Sequence, residues 1–525
     1  MTFFDLGLVL ASVICVAGLV WRVSKWCGRP VRNSAPFSPL KGMQAFVVDV
    51  LLLARTGRQS PLRWIGHTLI FVGFMGLLLF HALDDQITSN FFFGYESTLD
   101  PWQFLRNLFG LMVLVGLGIM TYRRVANKKL RELTRFQDWF AFLLVGGIIL
   151  SGFFLEATKI MSPRVFDRMV YEYLVVEDGS DLTALKAVWA DKYGVVFTER
   201  LPMNEETLAR GMELDEESCM DCHSNTSSSF VSRTMATALT PIGPALNRSQ
   251  ATEVFWYLHL LLCFVGLAAL PFGKFLHPLT TPANLIVRQG RRDGEGETPS
   301  VRKGLGLDAC TRCGECSLHC SVAPAFSVMG NSDILPSEKL ISFKKYQQGE
   351  LFGDALTAFA DGSRTCTECL RCTDICSAGI NLQELWMEAK QAAQVQRVDM
   401  NMAVRQLTPK GRIQTFECSD CKPDIYGLAD NKESYQGCVQ CTTCTSVCPV
   451  VAVCEDASAD LDLMPQQIMN LLRMGMKEEA MGARMVWSCT TCYKCQEHCP
   501  QNIRVADVLY ELRNTAAVRM RKGNQ

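Results

Sequence analysis

The chain has 525 residues, 48% of them apolar, with 52 basic against 53 acidic side chains. At about 150 residues per domain that length allows three or four domains, and the balanced charge excludes nucleic acid as the main partner, since no basic excess exists to neutralise phosphates. The 24 cysteines exceed ordinary usage, and most sit in tight CxxC runs, which points to metal chemistry and away from a disulfide framework.

Five long apolar stretches, at 3–22, 64–83, 104–122, 137–157 and 252–272, lie before residue 285. Each has about the 20 residues that a helix needs to cross a ~30 Å hydrocarbon core. The first lacks a small-residue cleavage signature and reads as a retained anchor, not a removed signal peptide. A sixth run, Met43 to Ala54, is shorter and carries Asp49, so an interfacial helix is expected there.

Charge orients these helices. The connection after the first carries Arg22, Lys25, Arg29, Arg32, Lys41, Arg55, Arg58 and Arg63, and the one after the third carries Arg123, Arg124, Lys128, Lys129, Arg131 and Arg135. The connection from Asp84 to Gln103 has no Lys or Arg. The positive-inside rule then puts the N-terminus outside and the segment after the fifth helix in the cytoplasm. Two segments are left outside, the short one at 84–103 and an acidic one at about 158–251. A multi-pass protein of a bacterial or archaeal cytoplasmic membrane follows.

Four of the seven histidines lie in or beside the second and fifth helices. His67 and His81 are 14 residues apart, about 21 Å of helical rise along one side. His259 and His277 are 18 apart, five turns, about 27 Å if the helix persists past Pro271. Because the two helices run in opposite directions, His81 meets His259 near the outside and His67 meets His277 near the cytoplasm. Two stacked bis-histidine haem b sites are expected, since ionisable residues inside a membrane are functional candidates. Asp84 and Asp85 follow His81 and Glu156 ends the fourth helix. Asp84 and Asp85 are candidate proton acceptors for a quinol oxidised at the outer haem, although a solvated helix end is the plainer reading of each acid alone.

Within the outer segment, Cys219, Met220, Asp221, Cys222 and His223 spell CxxCH, the attachment motif of a c-type haem, with His223 as proximal ligand. The predicted topology places it where haem c is attached. Ile242, Gly243, Pro244, Ala245 and Leu246 are reminiscent of the Gly-Pro segment of small c-type cytochromes. Met203, Met212 and Met235 are candidates for the distal position.

Residues 286–304 read as an Arg-, Gly- and Glu-rich linker. Residues 305–525 carry 19 of the cysteines, and the run CxxCxxCxxxC occurs four times. It appears at Cys310, Cys313, Cys316, Cys320; at Cys366, Cys369, Cys372, Cys376; at Cys438, Cys441, Cys444, Cys448; and at Cys489, Cys492, Cys495, Cys499. Paired runs start 56 and 51 residues apart, so two tandem two-cluster modules are expected, 305–400 and 401–525. In two-cluster ferredoxins the fourth cysteine of each run ligates the other cluster. That rule assigns Cys310, Cys313, Cys316 with Cys376; Cys366, Cys369, Cys372 with Cys320; Cys438, Cys441, Cys444 with Cys499; and Cys489, Cys492, Cys495 with Cys448. Structural zinc needs only two CxxC pairs, and four complete runs disfavour it. Asn381 to Gln396 and Leu463 to Glu479 have helical periodicity. Cys418 and Cys421, with Cys454 as a companion, form a further CxxC; three thiols could hold another metal, but structural or redox-inert cysteines are the expected reading, and Cys15, Cys27 and Cys263 read as packing residues.

The histidine-bearing five-helix pattern resembles the gamma subunit of respiratory nitrate reductase, and more closely the haem b subunits of membrane heterodisulfide reductases and of sulfate-reducer membrane redox complexes. The likeness covers about 1–285, interrupted by 158–251. The part 305–525 looks like the ferredoxin-type subunit of heterodisulfide reductases, given twice. The resemblance implies a dihaem, quinone-reactive cytochrome wired to cytoplasmic clusters. The CCG cysteine-rich domain of that family is missing, and the CxxCH insert is foreign to the nitrate reductase subunit.

The expected fold is therefore mainly α. A five-helix transmembrane dihaem cytochrome b domain (1–157 and 252–285), carrying a c-haem insert (158–251), precedes two helical two-cluster ferredoxin-like modules. The expected function is electron transfer between a quinone, menaquinone or another, and a cytoplasmic flavoprotein or iron–sulfur subunit, within a quinone-linked oxidoreductase complex. The alternatives are a quinone-independent wire from an external cytochrome c and a membrane redox-sensing or maturation protein. Gly290 to Gly296 is too polar for a nucleotide-binding loop and follows no clear strand.

Overall fold

In the computed structural model the described residues are 3–26, 37–174, 179–290, 300–323, 326, 330–366, 369–395, 427–454 and 457–523. Cys27, Cys418, Cys421, the 400/401 module boundary and the middle of the linker lie outside them. The chain divides into two units, Met1–Gly304 and Leu305–Gln525, and every element among the described residues of both is helical.

Five helices are long and apolar enough to cross a membrane: α1 (Phe3–Trp26), α2 (Pro61–Leu77, continuing to Ala82), α3 (Trp102–Ala126), α4 (Phe136–Met161) and α9 (Ala251–Ala269). Each overlaps one of the expected stretches. Local chemistry sets their starts. Ser60 Oγ accepts the Arg63 N–H at 3.4 Å ahead of Pro61, and the Asp138 carboxylate accepts the Arg135 N–H at 2.9 Å. Small residues let α2 and α3 touch backbone to backbone, as membrane helices do. A Cβ on Gly116 would stand 2.6 Å from the Gly66 carbonyl, and one on Gly73 2.6 Å from that of Phe109. The Met43–Ala54 run is not one interfacial helix. Pro39–Ala45 is α-helical, Phe46–Leu51 widens to π-type hydrogen bonding, and Asp49 is buried against Arg55 and Gln289.

The fifth helix also departs from expectation. It does not persist to His277: α9 stops at Ala269, and a new helix, α10 (His277–Gly290), starts after Gly273 at φ +72°. Pro271 explains the break, because its ring removes a donor and clashes with the preceding turn.

Between α4 and α9 the insert folds as α5 (Pro163–Tyr173), α6 (Gly179–Val188), α7 (Glu205–Ser218) and α8 (Phe230–Leu239). Phe166, Leu185, Trp189, Tyr193 and Val195 form its core. Asp215, fully buried, accepts from Trp189 Nε1 at 3.1 Å, Tyr193 Oη at 3.0 Å and Lys192 Nζ at 2.7 Å. Three donors on one carboxylate compensate its loss of water.

The C-terminal unit has two cores. The first gathers Leu307, Phe343, Phe359, Leu385 and Trp386 from α11 (Pro336–Gln347), α12 (Gly353–Arg364), α13 (Leu382–Val395) and the segment before them. The second forms around α14 (Pro465–Arg473) and α15 (Val505–Gly523), and takes in Val322 and Ile334 from the first module. The stretch Leu463–Glu479 is two helices, not one, because a turn at Gly475 (φ +77°) separates α14 from Lys477–Met481.

Candidate redox centres

In the membrane unit the four histidines come together as two pairs. The ring centroids of His81 and His259 are 6.2 Å apart, and those of His67 and His277 are 6.3 Å apart. The break in the fifth helix matters here. A straight 18-residue helix rises about 27 Å, and 14 residues of α2 rise about 21 Å, so the interruption brings His277 back to the depth of His67. His81 itself sits in the π-type turn Leu78–Ala82 that ends the second span, a local widening common at functional sites.

The second partners of the rings fix their direction. His277 Nδ1 lies 2.6 Å from the Lys274 carbonyl, and His259 Nδ1 lies 3.1 Å from the Ile148 carbonyl and 3.1 Å from Ser151 Oγ. A carbonyl only accepts, so both Nδ1 atoms carry the proton and both Nε2 atoms keep a lone pair. Hydrogen-bonded second partners of this kind hold metal-ligating histidines. Gly152 leaves room for the His259 ring, since a Cβ there would stand 3.2 Å from Cε1. Cys263 Sγ is 3.7 Å from His259 Nε2, one turn away. A ligating imidazole nitrogen sits about 2.0 Å from a transition metal, so two such bonds plus the step from each nitrogen to its ring centre sum to about 6 Å. Both pairs fit an iron between them.

Asp84 and Asp85 occupy the turn after His81. Asp84 lies against Tyr95, whose hydroxyl donates to the Phe80 carbonyl at 3.0 Å; burial, then the Asp84 charge, pushes this phenol up to about 12. Glu156 is not a solvated helix end. It accepts from Arg106 Nη2 at 2.5 Å, Asn107 Nδ2 at 3.0 Å, Ser229 Oγ at 3.3 Å and Ser232 Oγ at 2.5 Å. Asn107, fully buried, also accepts the Val231 and Ser232 N–H groups at 3.2 and 3.1 Å. The first turn of α8 is thereby bound to α3 and α4.

The CxxCH residues form a turn at the end of α7, where the Cys222 and His223 N–H groups donate to the Cys219 carbonyl at 3.1 and 2.9 Å. The turn docks on the connection that follows His81. Thr98 Oγ1 donates to the Cys222 carbonyl, Ser224 Oγ accepts the Asp100 N–H at 2.9 Å, and Gln103 Nε2 donates to the Asn225 carbonyl at 2.7 Å. Trp189 meets the His223 ring edge-on at 5.7 Å, and burial holds that imidazole below its ordinary pKa. A neutral ring is the form that ligates, so the donor set fits a haem. Of the methionines, Met235 packs with Ala157 and Met161. Met212 is exposed, and Met203 lines a cavity of about 400 Å³ whose lining excludes the CxxCH residues.

In the C-terminal unit the cysteines of different runs share cavities. One is lined by Cys310, Cys313, Cys316 and Cys376; one by Cys320, Cys366, Cys369 and Cys372; one by Cys438, Cys441, Cys444 and Cys499. The Cys495 thiol in turn feels Cys489, Cys448 and Cys492. Three of each quartet come from one run and the fourth from its partner run. Burial, then neighbouring thiols, pushes the Cys372 and Cys444 thiols up to about 12. Among the described residues no three His, Cys, Asp or Glu converge on a single-ion geometry. Quartets of three cysteines from one run and a fourth from its partner run fit a four-iron cluster.

The loops wrap these cavities in an unusual backbone. Arg312, Gln440 and Thr491, each two residues after the first cysteine of a run, have φ of +52°, +56° and +55°. Leu370, Thr442 and Tyr493, each just after the second cysteine, have φ of +63°, +64° and +64°. Non-glycine residues in this region are strained, and the strain turns amides inward. The Arg312 and Thr491 N–H groups donate to Cys310 and Cys489 Sγ at 3.4 Å, and those of Ile380 and Ile503 donate to Cys376 and Cys499 Sγ at 3.4 Å. The side chains at the positive-φ positions range over Arg, Gln, Thr, Leu and Tyr, so only the cysteine spacing marks them. Cys454 donates to the Val450 carbonyl at 3.2 Å, and Cys15 is buried in α1.

Comparison with known proteins follows this division. Residues 59–175 match the nitrate reductase gamma subunit family, and residues 306–380 and 434–503 each match the 4Fe-4S dicluster domain. The first match contains His67 and His81 and ends before His259. One subunit of the H(2):CoB-CoM heterodisulfide,ferredoxin reductase of Methanothermobacter thermautotrophicus is 36% identical over 85 residues, 16% of this chain and 42% of that one. One subunit of the dihydromethanophenazine:CoB–CoM heterodisulfide reductase of Methanosarcina acetivorans is 30% identical over 143 residues, 26% of this chain and 53% of that one. A different subunit of the enzyme of that name from Methanosarcina barkeri is 29% identical over 125 residues, 21% and 28% of the two chains. The chain thus spans about half or less of the length of these relatives. No solved structure matches it. This is a multi-pass membrane protein in which a domain of nitrate reductase gamma type is joined to two 4Fe-4S dicluster domains.

Proposed function

We propose that the chain is a membrane-bound electron-transfer subunit between the quinone pool, menaquinone or another quinone, and a cytoplasmic redox subunit. His81 with His259 and His67 with His277 hold two b haems; Cys219, Cys222 and His223 hold a c haem; and the four cysteine quartets hold [4Fe-4S] clusters. Bound there, these groups supply one-electron carriers, and the protein's part is to space and orient them. The observation that carries the reading is the ring-to-ring meeting of four histidines as two pairs in one helix bundle. A structural histidine needs one hydrogen bond, not a second imidazole across 6 Å. The Nδ1 contacts of His259 and His277 leave the lone pair of each imidazole on Nε2. Asp84 and Asp85 are the acceptors of quinol protons in this reading. Glu156 is excluded from that role because its oxygens already serve Arg106, Asn107, Ser229 and Ser232.

With the N-terminus and the insert outside and the cysteine quartets in the cytoplasm, each electron crosses most of the membrane potential, worth about 2.3 kcal/mol per 100 mV. The test is to mix the purified complex with a menaquinol analogue and follow the b-haem absorbance. Reduction within one turnover, and a spectral shift with a quinone-site inhibitor, are expected. Absence of both removes the quinone and the roles of Asp84 and Asp85.

A second reading, electron exchange with an external cytochrome c in place of quinone, is favoured by the docking of the CxxCH turn on the 98–103 connection. It calls for b-haem reduction by a reduced external cytochrome c with quinone extracted, and fails if haem reduction then stops.

A further inference from the structure

The four quartets do not have equal surroundings. Three share one device: a basic side chain donates to the carbonyl of a run's first cysteine. Lys390 Nζ reaches the Cys366 carbonyl at 2.6 Å, Arg473 Nη1 that of Cys438 at 2.7 Å, and Arg513 Nη1 that of Cys489 at 3.0 Å. Lys390 and Arg513 both stand 24 residues after the cysteine they serve, an echo of the internal repeat.

The quartet of Cys320, Cys366, Cys369 and Cys372 has something more. Lys339, on α11, is 1% exposed, and with Arg371 it lines the same cavity as these four cysteines. Its ammonium lies 5.0 Å from the centre of the Trp386 ring, which lines the cavity too. Among the described residues no ion pair to a carboxylate holds Lys339. The carboxylate within its electrostatic reach, Asp333, accepts from Ser342 Oγ at 2.7 Å. Fully buried lysines are rare unless a negative group compensates them, and here the thiols are the groups in reach. Two of the other cavities differ. That of Cys438 has no charged side chain in its lining. That of Cys310 has Arg312 and Glu315, opposite in sign, with Arg312 itself 3.3 Å from Glu338.

The same quartet sits where the two modules meet. Asn470 Nδ2, from α14 of the second module, donates to the Ser321 carbonyl at 3.1 Å, while Ser321 Oγ lies 3.3 Å from Cys369 Sγ. Val322, the next residue, belongs to the second module's core.

We propose that Lys339 is the charge-balancing residue of the Cys320–Cys366–Cys369–Cys372 cluster and makes it the highest-potential cluster of the four, so that electrons collect at the junction of the two modules. This rests on the cluster assignment above. Four thiolates make a bound cluster anionic, and reduction adds one more negative charge. A cation fixed beside it in a low dielectric favours the reduced form, and charge and hydrogen bonds to sulfur set cluster potentials. The step is a one-electron transfer: a neighbouring cluster is oxidised as this one is reduced, no covalent bond is made or broken, and no atom is transferred.

The test is an EPR-monitored redox titration of the whole protein, with iron and acid-labile sulfide measured on each sample. The signal of interest is the one lost in Cys366→Ser. In Lys339→Met, which keeps the length and removes the charge, the reduced-to-oxidised ratio of that cluster at fixed potential should fall at least tenfold, or 59 mV for one electron. The other three signals should stay within twofold. Lys339→Arg, which keeps the charge, should stay within threefold of the parent, and this holds the idea open to test if the Met variant loses iron. A Met variant with four clusters and an unmoved midpoint overturns the proposal, as does an Arg variant that drops as far as Met, or a Cys366-linked signal that is not the first to reduce in the parent. A parent protein without about sixteen irons overturns the cluster assignment instead.

Discussion

The two units gather their candidate ligands in opposite ways. The C-terminal unit takes three cysteines from one short loop and a fourth from a loop about fifty residues away, and the strained loop backbone turns its own amides onto the sulfurs. The membrane unit takes each histidine of a pair from a different helix, 178 residues apart for His81 and His259 and 210 for His67 and His277. No single loop then supplies both members of a pair. Orientation comes from the Ile148 and Lys274 carbonyls, and depth comes from the break at Pro271. A loop-built site carries its geometry in spacing, whereas a bundle-built site draws it from the packing of whole helices.

The largest test of this contrast is Cys376→Ala. In the shared-quartet arrangement it should erase the same EPR signal as Cys310→Ala, not that of Cys366→Ala, and lower iron from about sixteen to about twelve per chain with haem unchanged. If Cys376→Ala and Cys366→Ala erase one signal between them, the runs are self-contained. Next in size is His259→Leu, expected to abolish one b haem in the dithionite-reduced spectrum. His81→Leu should abolish the same one, leaving the iron and the His67–His277 haem in place. Equal loss of both haems would mean that the pairs do not stand separately.

Asn107→Leu should act through the bundle. It strips two amides at the start of α8 of their acceptor and takes one donor from Glu156, so a loss of about 2 kcal/mol is expected. Thermal unfolding and protease cleavage within 158–251 would report it, with all four clusters intact. The smallest effect belongs to Gly273→Ala. An alanine at φ +72° is strained by about 1 kcal/mol, and the resulting shift should move the midpoint of the His67–His277 haem alone. If both b haems move equally, the break does not act on the inner pair in particular.

These differences also decide what was legible beforehand. The spans, the histidine pairing and the shared quartets could be read because hydropathy, depth and cysteine spacing are one-dimensional signals. The end of the fifth span could not, although Pro271 stood in view: a proline announces a kink but not where the chain resumes. Glu156 looked like a solvated end because its partners Ser229 and Ser232 lie more than seventy residues on. Lys339 had no signal at all, since a buried lysine and a surface lysine are the same letter. Ser151, Gly152 and Asn107 were missed for the same reason: a small or polar residue in an apolar helix gives no hint of what it touches.

The sharing of cysteines between runs sets a timetable for the newborn chain. Cys310 leaves the ribosome 66 residues before Cys376, an interval of about 3 to 13 s at ordinary elongation rates. Until then the cavity that Cys376 completes has only three walls of sulfur. Neither site of a module can be finished while its own loop is the only one made, so loading must wait for the second loop and then fill both. Truncation inside a module should leave no half-built carrier but an empty, oxidisable peptide, and iron insertion would act as the checkpoint on a completed chain.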